Sequence, residues 1–257
     1  MLRVEVQKPV ARVILDRPDV HNAFDDELII FLKDAFRELG TYKDVRAIVL
    51  RGNGKSFCAG ADLNWMKRVA EYTRDQNLED ARKMARMFLA IARCPKPVIA
   101  RVHGAALGGG AGLVAACDIA VAVESAQFGF TEVKLGLIPA VISPFVIARM
   151  GSRAREYFLT GERFPASVAL QSGLVQHVVP DETAMDALID TKIAHLVTSS
   201  PSAVAAAKEL LLATTGKDLD ASLEIAVDAI ARARASDEGQ VGMKAFLQRE
   251  KPPWIPQ

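Results

Sequence analysis

Four short runs rich in branched aliphatic residues, at 10–15, 45–50, 98–102 and 119–123, constrain the fold of this chain more than any other feature. Each has the composition and length of a strand, and each is separated from the next by helical or glycine-rich sequence. The first run stops at Arg17-Pro18 and the second turns out through Gly52-Asn53-Gly54. Between them, Asp25, Asp26 and Glu27 suit the positive end of a helix, and Leu28, Leu32, Ala35, Phe36 and Leu39 share one face before Gly40. A further helical region begins beyond Asp62 and closes at Cys94-Pro95-Lys96-Pro97. Alternation of this kind predicts an α/β layer structure.

The character changes after Val179-Pro180. From there the chain is alanine-rich and helical, so a mixed core over 1–195 and a helical region over 196–257 are expected. Leu223, Ile225 and Ile230 lack partners within so small a helical segment, and docking onto the core or a second subunit would cover them. The 257 residues carry 32 basic and 31 acidic side chains, a formal charge of +1, which gives no global field to draw in nucleic acid or an anionic membrane. Three widely spaced cysteines (Cys58, Cys94, Cys117) make no disulfide framework. The first six residues alternate in polarity, unlike a secretion signal, and no apolar stretch is long enough to span a bilayer. A cytoplasmic protein is expected.

Several tempting motifs fail on spacing. Gly54-Lys55-Ser56 lacks the earlier glycine of a phosphate loop, since Val49 stands there. The glycine pattern at 110–115 leaves too little helix before the next strand for a dinucleotide unit. His21, His103, His177 and His195 never fall at metal-ligand spacing, so no metal is expected. Cys58 has no evident histidine partner and reads as a small buried residue rather than a nucleophile.

Two glycine-rich segments remain, 57–62 and 103–110, each leaving a strand and entering a helix. Such turns expose backbone N–H groups at a helix start, and two of them face to face would make an oxyanion hole; tight packing alone would explain the glycines equally well. Glu132, in sequence among Phe128, Phe130, Val133 and Leu135, suits a half-buried general acid or base, although a structural ion pair with Lys134 or an arginine is the plainer reading.

These segments, in this order, resemble the enoyl-CoA hydratase/isomerase (crotonase) superfamily. The matching residues are Asp16-Arg17-Pro18 with Asn22-Ala23, the 57–63 segment, His103-Gly104 with 107–110 and Cys117-Asp118, Gln127-Phe128-Gly129 with Glu132, Gly136 and Ile138-Pro139, and 242–246. The resemblance implies a spiral of ββα turns, a C-terminal helical trimerisation region, and a homotrimer or dimer of trimers. It implies an acyl-CoA thioester as substrate, with coenzyme A part of that substrate and no separate cofactor. It assigns the oxyanion amides to Ala61 and Gly109, the acid to Glu132, and substrate contacts to Ala23, Ala59, Gly60, Asp62, Leu63, Trp65, Gly108, Pro139, Phe246 and Lys251.

Two departures stand out. Hydratases of this superfamily usually carry a first glutamate just past the triple glycine, where this chain has Gly112, and 138–145 replaces the usual glycine-rich continuation. With 59–66, these departures resemble the bacterial branch that hydrates branched carboxylated acyl-CoAs: 3-methylglutaconyl-CoA in leucine breakdown and carboxygeranoyl-CoA in acyclic terpene breakdown. The expected activity is hydration of such a 2-enoyl-CoA, with the substrate's own carboxylate standing in for the missing acid. A single acid also suffices for a 3,2-enoyl-CoA double-bond isomerase. A CoA-thioester-binding protein without catalysis is the third reading.

Overall fold

The computed structural model describes residues 1–255. The four apolar runs form strands, and three of them are buried on both faces of one sheet. In that six-stranded sheet β1 (Leu2–Gln7) pairs antiparallel with β2 (Val10–Leu15). Parallel neighbours follow in the order β3 (Ala47–Gly52), β4 (Val98–Val102), β6 (Ile119–Val123) and β9 (His177–Val179). Burial on both faces is why β3, β4 and β6 read as continuous apolar runs. The edge strand β1 is largely exposed, and its alternation gave no comparable signal.

A smaller sheet holds β5 (Ala105–Leu107), β7 (Gln127–Gly129) and β8 (Arg163–Pro165). Three-residue strands are too short to show a period, so the sequence did not reveal them. Their placement makes the spiral. β4 lies in the large sheet and β5 in the small one, followed by helix α4 (Gly109–Ala116), and the next turn repeats this with β6 and β7. The turn before contributes a single bridge, Cys58 against Ala106.

Helix α1 (Asp26–Thr41) starts where the acids predicted, with Asp25 accepting from the Leu28 amide at 2.8 Å. The helical region beyond Asp62 is two helices, α2 (Leu63–Val69) and α3 (Arg74–Ala92). Thr73 and Gln76 form a reciprocal capping box that starts α3 afresh. Short helices α5 (Ser143–Met150), α6 (Ala154–Thr160) and α7 (Ala166–Gln171) lead to α8 (Glu182–Val197). The boundary expected after residue 195 falls inside α8, whose Met185, Ile189 and Ile193 are buried in the core.

Helices α9 (Pro201–Thr214), α10 (Leu219–Ala235) and α11 (Asp237–Gln248) complete the described chain. Lys208 ties α9 to the core: it is 8 % exposed, and its Nζ lies 2.6 Å from Asp118 Oδ2. Elsewhere these helices leave apolar side chains in solvent, including Leu211, Leu219, Leu223, Val227 and Leu247. Among the described residues no helix is long and apolar enough to cross a membrane.

Candidate active site

The two glycine-rich segments lie side by side. The Cys58 amide donates to Ala105 O and the Leu107 amide to Cys58 O, each at 3.0 Å, which fixes them in parallel register at the bridge between residues 58 and 106. Ala61 and Gly109 each stand three residues beyond that bridge, so the register carries them forward together. Phe24 clamps the first segment from the other side, donating to Gly60 O at 2.7 Å and accepting from the Asp62 amide at 2.8 Å. Among the described residues, neither the Ala61 nor the Gly109 amide donates to a protein acceptor.

Helix α4 explains why the second donor is available. It is apolar all round and buried from Gly110 to Ala116, and no side chain caps its start. A buried helix end without a cap leaves oriented N–H groups and a positive dipole facing whatever lies ahead. Gly108 makes the turn at φ +52°, a backbone region that suits glycine alone, and a β-carbon there would press within 3.0 Å of Glu132 Oε1.

Glu132 sits in a single 3₁₀ turn, Thr131–Leu135, closed by Gly136 in the left-handed conformation. Phe128, in the strand before it, and Phe130, just after that strand, are fully buried, whereas Leu135 at the end of the turn is exposed. Burial pushes the Glu132 carboxyl above the ordinary carboxylate range, against a smaller opposing effect of its own amide. Its Oε2 is buried with no hydrogen-bond partner, and among the described residues it pairs with neither Lys134 nor any arginine. The plainer expectation, a structural ion pair, is therefore corrected: among the described residues no cation pairs with this carboxylate.

Ala61, Gly109 and Glu132 share the wall of one cavity of about 440 Å³. Its remaining lining is mostly apolar and contains no lysine or arginine. Among the described residues no group of histidine, cysteine, aspartate and glutamate side chains is placed to hold a metal ion.

A sequence model of the enoyl-CoA hydratase/isomerase family matches residues 5–257. The chain belongs to that family. An enoyl-CoA hydratase from Shewanella pealeana is similar in structure, with a TM-score of 0.93 and 42% identity over 98% of this chain and 95% of that one. The 2,3-dehydroadipyl-CoA hydratase of Escherichia coli is 33% identical over 98% of this chain and 97% of its own length. The 1,2-epoxyphenylacetyl-CoA isomerase of the same organism is 32% identical over 96% of this chain and 95% of its own. This chain is thus an enzyme of the hydratase/isomerase type with the crotonase-like fold, and its relatives include both reactions.

Of the family positions expected to meet substrate, Ala59, Gly60, Leu63, Trp65, Gly108 and Pro139 line the cavity with the three catalytic candidates. Four others do not. Ala23 is buried, and its carbonyl accepts from Arg17 at 2.5 Å. Asp62 caps α2 through the Asn64 and Trp65 amides and pairs with Arg17 at 3.0 Å, so it holds the loop rather than facing the cavity. Phe246, on α11, and Lys251 beyond it are exposed and stand outside the lining.

The sequence reading missed Arg17 as an anchor. It bridges Asp25 and Asp62, the caps of α1 and α2, at 2.9 and 3.0 Å. It also missed Met84 and Asp80, which line the cavity one helical turn apart on α3. Their four-residue spacing was the available signal. Cys58 is fully buried and its thiol is pushed up to about 12, which leaves no nucleophilic thiolate.

Proposed function

We propose that this enzyme adds water across the 2,3 double bond of a 2-enoyl-CoA. The observation that carries the reading is the pair of unbonded amides, Ala61 and Gly109, held in register on a wall shared with the unneutralised Glu132. In this reaction the water oxygen bonds to C3 and the π pair moves through C2 and C1 onto the thioester oxygen. The two amides donate to that oxygen, and each such donor contributes about 3–4 kcal/mol of barrier lowering. Glu132 takes the proton from water and returns one to C2, so the carboxylate is regenerated. A raised pKa suits a group that must both accept and release a proton near neutrality.

One feature favours a second reading. Position 112, where a two-acid hydratase would carry its other glutamate, is closed by Ile142 and Phe88. A lone Glu132 suffices to move a double bond from the 3 to the 2 position, a reaction that needs the same enolate but no water. Oxygen-18 water separates the two: incorporation into product from a 2-enoyl-CoA supports hydration, and exclusive turnover of a 3-enoyl-CoA without label would replace it with isomerisation.

The branched carboxylated chain implied by resemblance, as in 3-methylglutaconyl-CoA, calls for a cation that the cavity wall does not supply. The acids Asp80 and Glu132 in that wall support an uncharged acyl chain instead. The same proposal includes the trimer or dimer of trimers, supported by the apolar side chains exposed on α9 to α11. It also keeps the cytoplasmic location, supported by three free cysteines, all buried.

A further inference from the structure

We propose that Asp80 and the indole N–H of Trp65 form a polar terminus to the acyl cavity that selects chains carrying a hydroxyl at their far end and disfavours chains ending in a carboxylate. The statement rests on the acyl-CoA reading above and adds the class of acyl group.

Both residues line the cavity, from different helices. Trp65, on α2, is 5 % exposed, and its Nε1 is buried without a hydrogen-bond partner. A buried donor left unpaired is unfavourable, and a built site that leaves one points to a ligand acceptor. The same indole N–H is the hydrogen-bonding neighbour that favours the charged form of Asp80, although it falls short of a formed bond. Burial nevertheless raises the Asp80 pKa, outweighing the nearby cations Lys83 and Arg68, the latter already paired with Asp26 at 2.6 Å. The wall thus presents one donor and one acceptor side by side. A hydroxyl is the small group that satisfies both, since it donates to the carboxylate and accepts from the indole.

Position along α3 assigns this pair to the tail of the chain. Phe88 packs against position 112 and against Phe24, which in turn crowds Gly109, so it marks the enolate end. Asp80 lies eight residues earlier on the same helix, about 12 Å at 1.5 Å per residue. That spacing sets it apart from the end of α3 that packs against Gly112 and Phe24, and on this ground the proposal takes it as the tail side of the cavity. A terminal carboxylate brought there would meet Asp80 on a wall that contains no lysine or arginine, with Lys83 and Arg68 acting on it only from outside the lining.

The test uses saturated ligands, which bind but cannot be hydrated. Calorimetry compares hexanoyl-CoA, 6-hydroxyhexanoyl-CoA and adipyl-CoA on the wild-type protein and on Asp80→Ala, Asp80→Asn and Trp65→Phe. The wild type is expected to bind the hydroxylated chain about tenfold more tightly than hexanoyl-CoA, with adipyl-CoA weakest. Asp80→Ala reduces the hydroxyl preference to about twofold or less, and Asp80→Asn improves adipyl-CoA binding about tenfold. Equal wild-type affinity for the first two ligands, tightest binding of adipyl-CoA, or a preference that survives both Asp80→Ala and Trp65→Phe would overturn the proposal. The wild-type comparison decides even where a variant fails to fold. Failure of oxygen-18 incorporation would refute hydration and leave these affinities standing.

Discussion

Replacing Gly112 by alanine adds a single methyl group, yet it should be among the more damaging small changes available to this protein. A β-carbon at 112 would overlap Ile142 Cγ2 outright, lie 2.9 Å from Ile142 Cβ and 3.1 Å from Phe88 Cε1. Ile142 is 3 % exposed and Phe88 fully buried, so neither has space to withdraw. Overpacking of this kind costs about 1–3 kcal/mol, or a fall of roughly 2–10 °C in melting temperature for a chain of this size. Thermal denaturation of Gly112→Ala, Ile142→Ala and the double variant measures it directly. Ile142→Ala alone loses about 2–5 kcal/mol through its cavity. Added to that background, Gly112→Ala should cost far less than in the wild type, with a coupling of about 1–3 kcal/mol. A Gly112→Ala protein that melts with the wild type, or strict additivity in the double variant, would refute the argument that Ile142 closes this position. The same geometry says that Gly112→Glu alone cannot create a two-acid site.

Other expectations follow from the same contacts. Glu132→Gln should lower kcat for hydration about 10²–10⁴-fold while calorimetry still shows hexanoyl-CoA binding. Because burial raises the Glu132 pKa, kcat/KM should fall with decreasing pH along a limb above the ordinary carboxylate range, and Glu132→Gln should remove that limb. Stability carries the matching sign. The folded protein holds this proton more tightly than the unfolded chain, so the favourable contribution is full below the unfolded pKa and is lost as pH rises through the folded one. Glu132→Gln should accordingly raise the melting temperature at neutral pH and leave it little changed in acid. Lys208→Met should cost about 3 kcal/mol in chemical denaturation by leaving Asp118 unpaired, and Asp118→Asn in that background should restore part of it. Light scattering of the purified protein should give three or six times the chain mass, and a monomer would remove the proposed use of the apolar helix faces.

Much of this was legible in the chain itself, for reasons that differ by element. The strands at 98–102 and 119–123 were read to the residue because burial on both faces leaves an uninterrupted apolar run. The first turn of α1 was legible in its acids, since a capping carboxylate is a local requirement. The short strands β5, β7 and β8 were not, because three residues hold no period and their pairing depends on the spiral. In the site, the glycine-rich turns announced a close main-chain approach, but their register emerges only from the bridge between Cys58 and Ala106. Asp62 serves as the cap of α2, a role that looks like a ligand contact in sequence. Asp80 was overlooked because an aspartate on a charged helix reads as solvated unless the opposite wall is known.

The cradle formed by residues 61 and 109 consists of peptide groups, and that has a practical consequence for anyone mapping this enzyme by mutagenesis. Scanning the chain with alanine would pass straight over it: position 61 is already alanine, and no substitution short of proline, which also fixes the backbone, deletes an N–H. Its contribution is isolated most cleanly by editing the backbone, for instance with an ester linkage in place of one amide. Drift in the surrounding side chains can retune what enters the pocket while the polarising donors persist untouched.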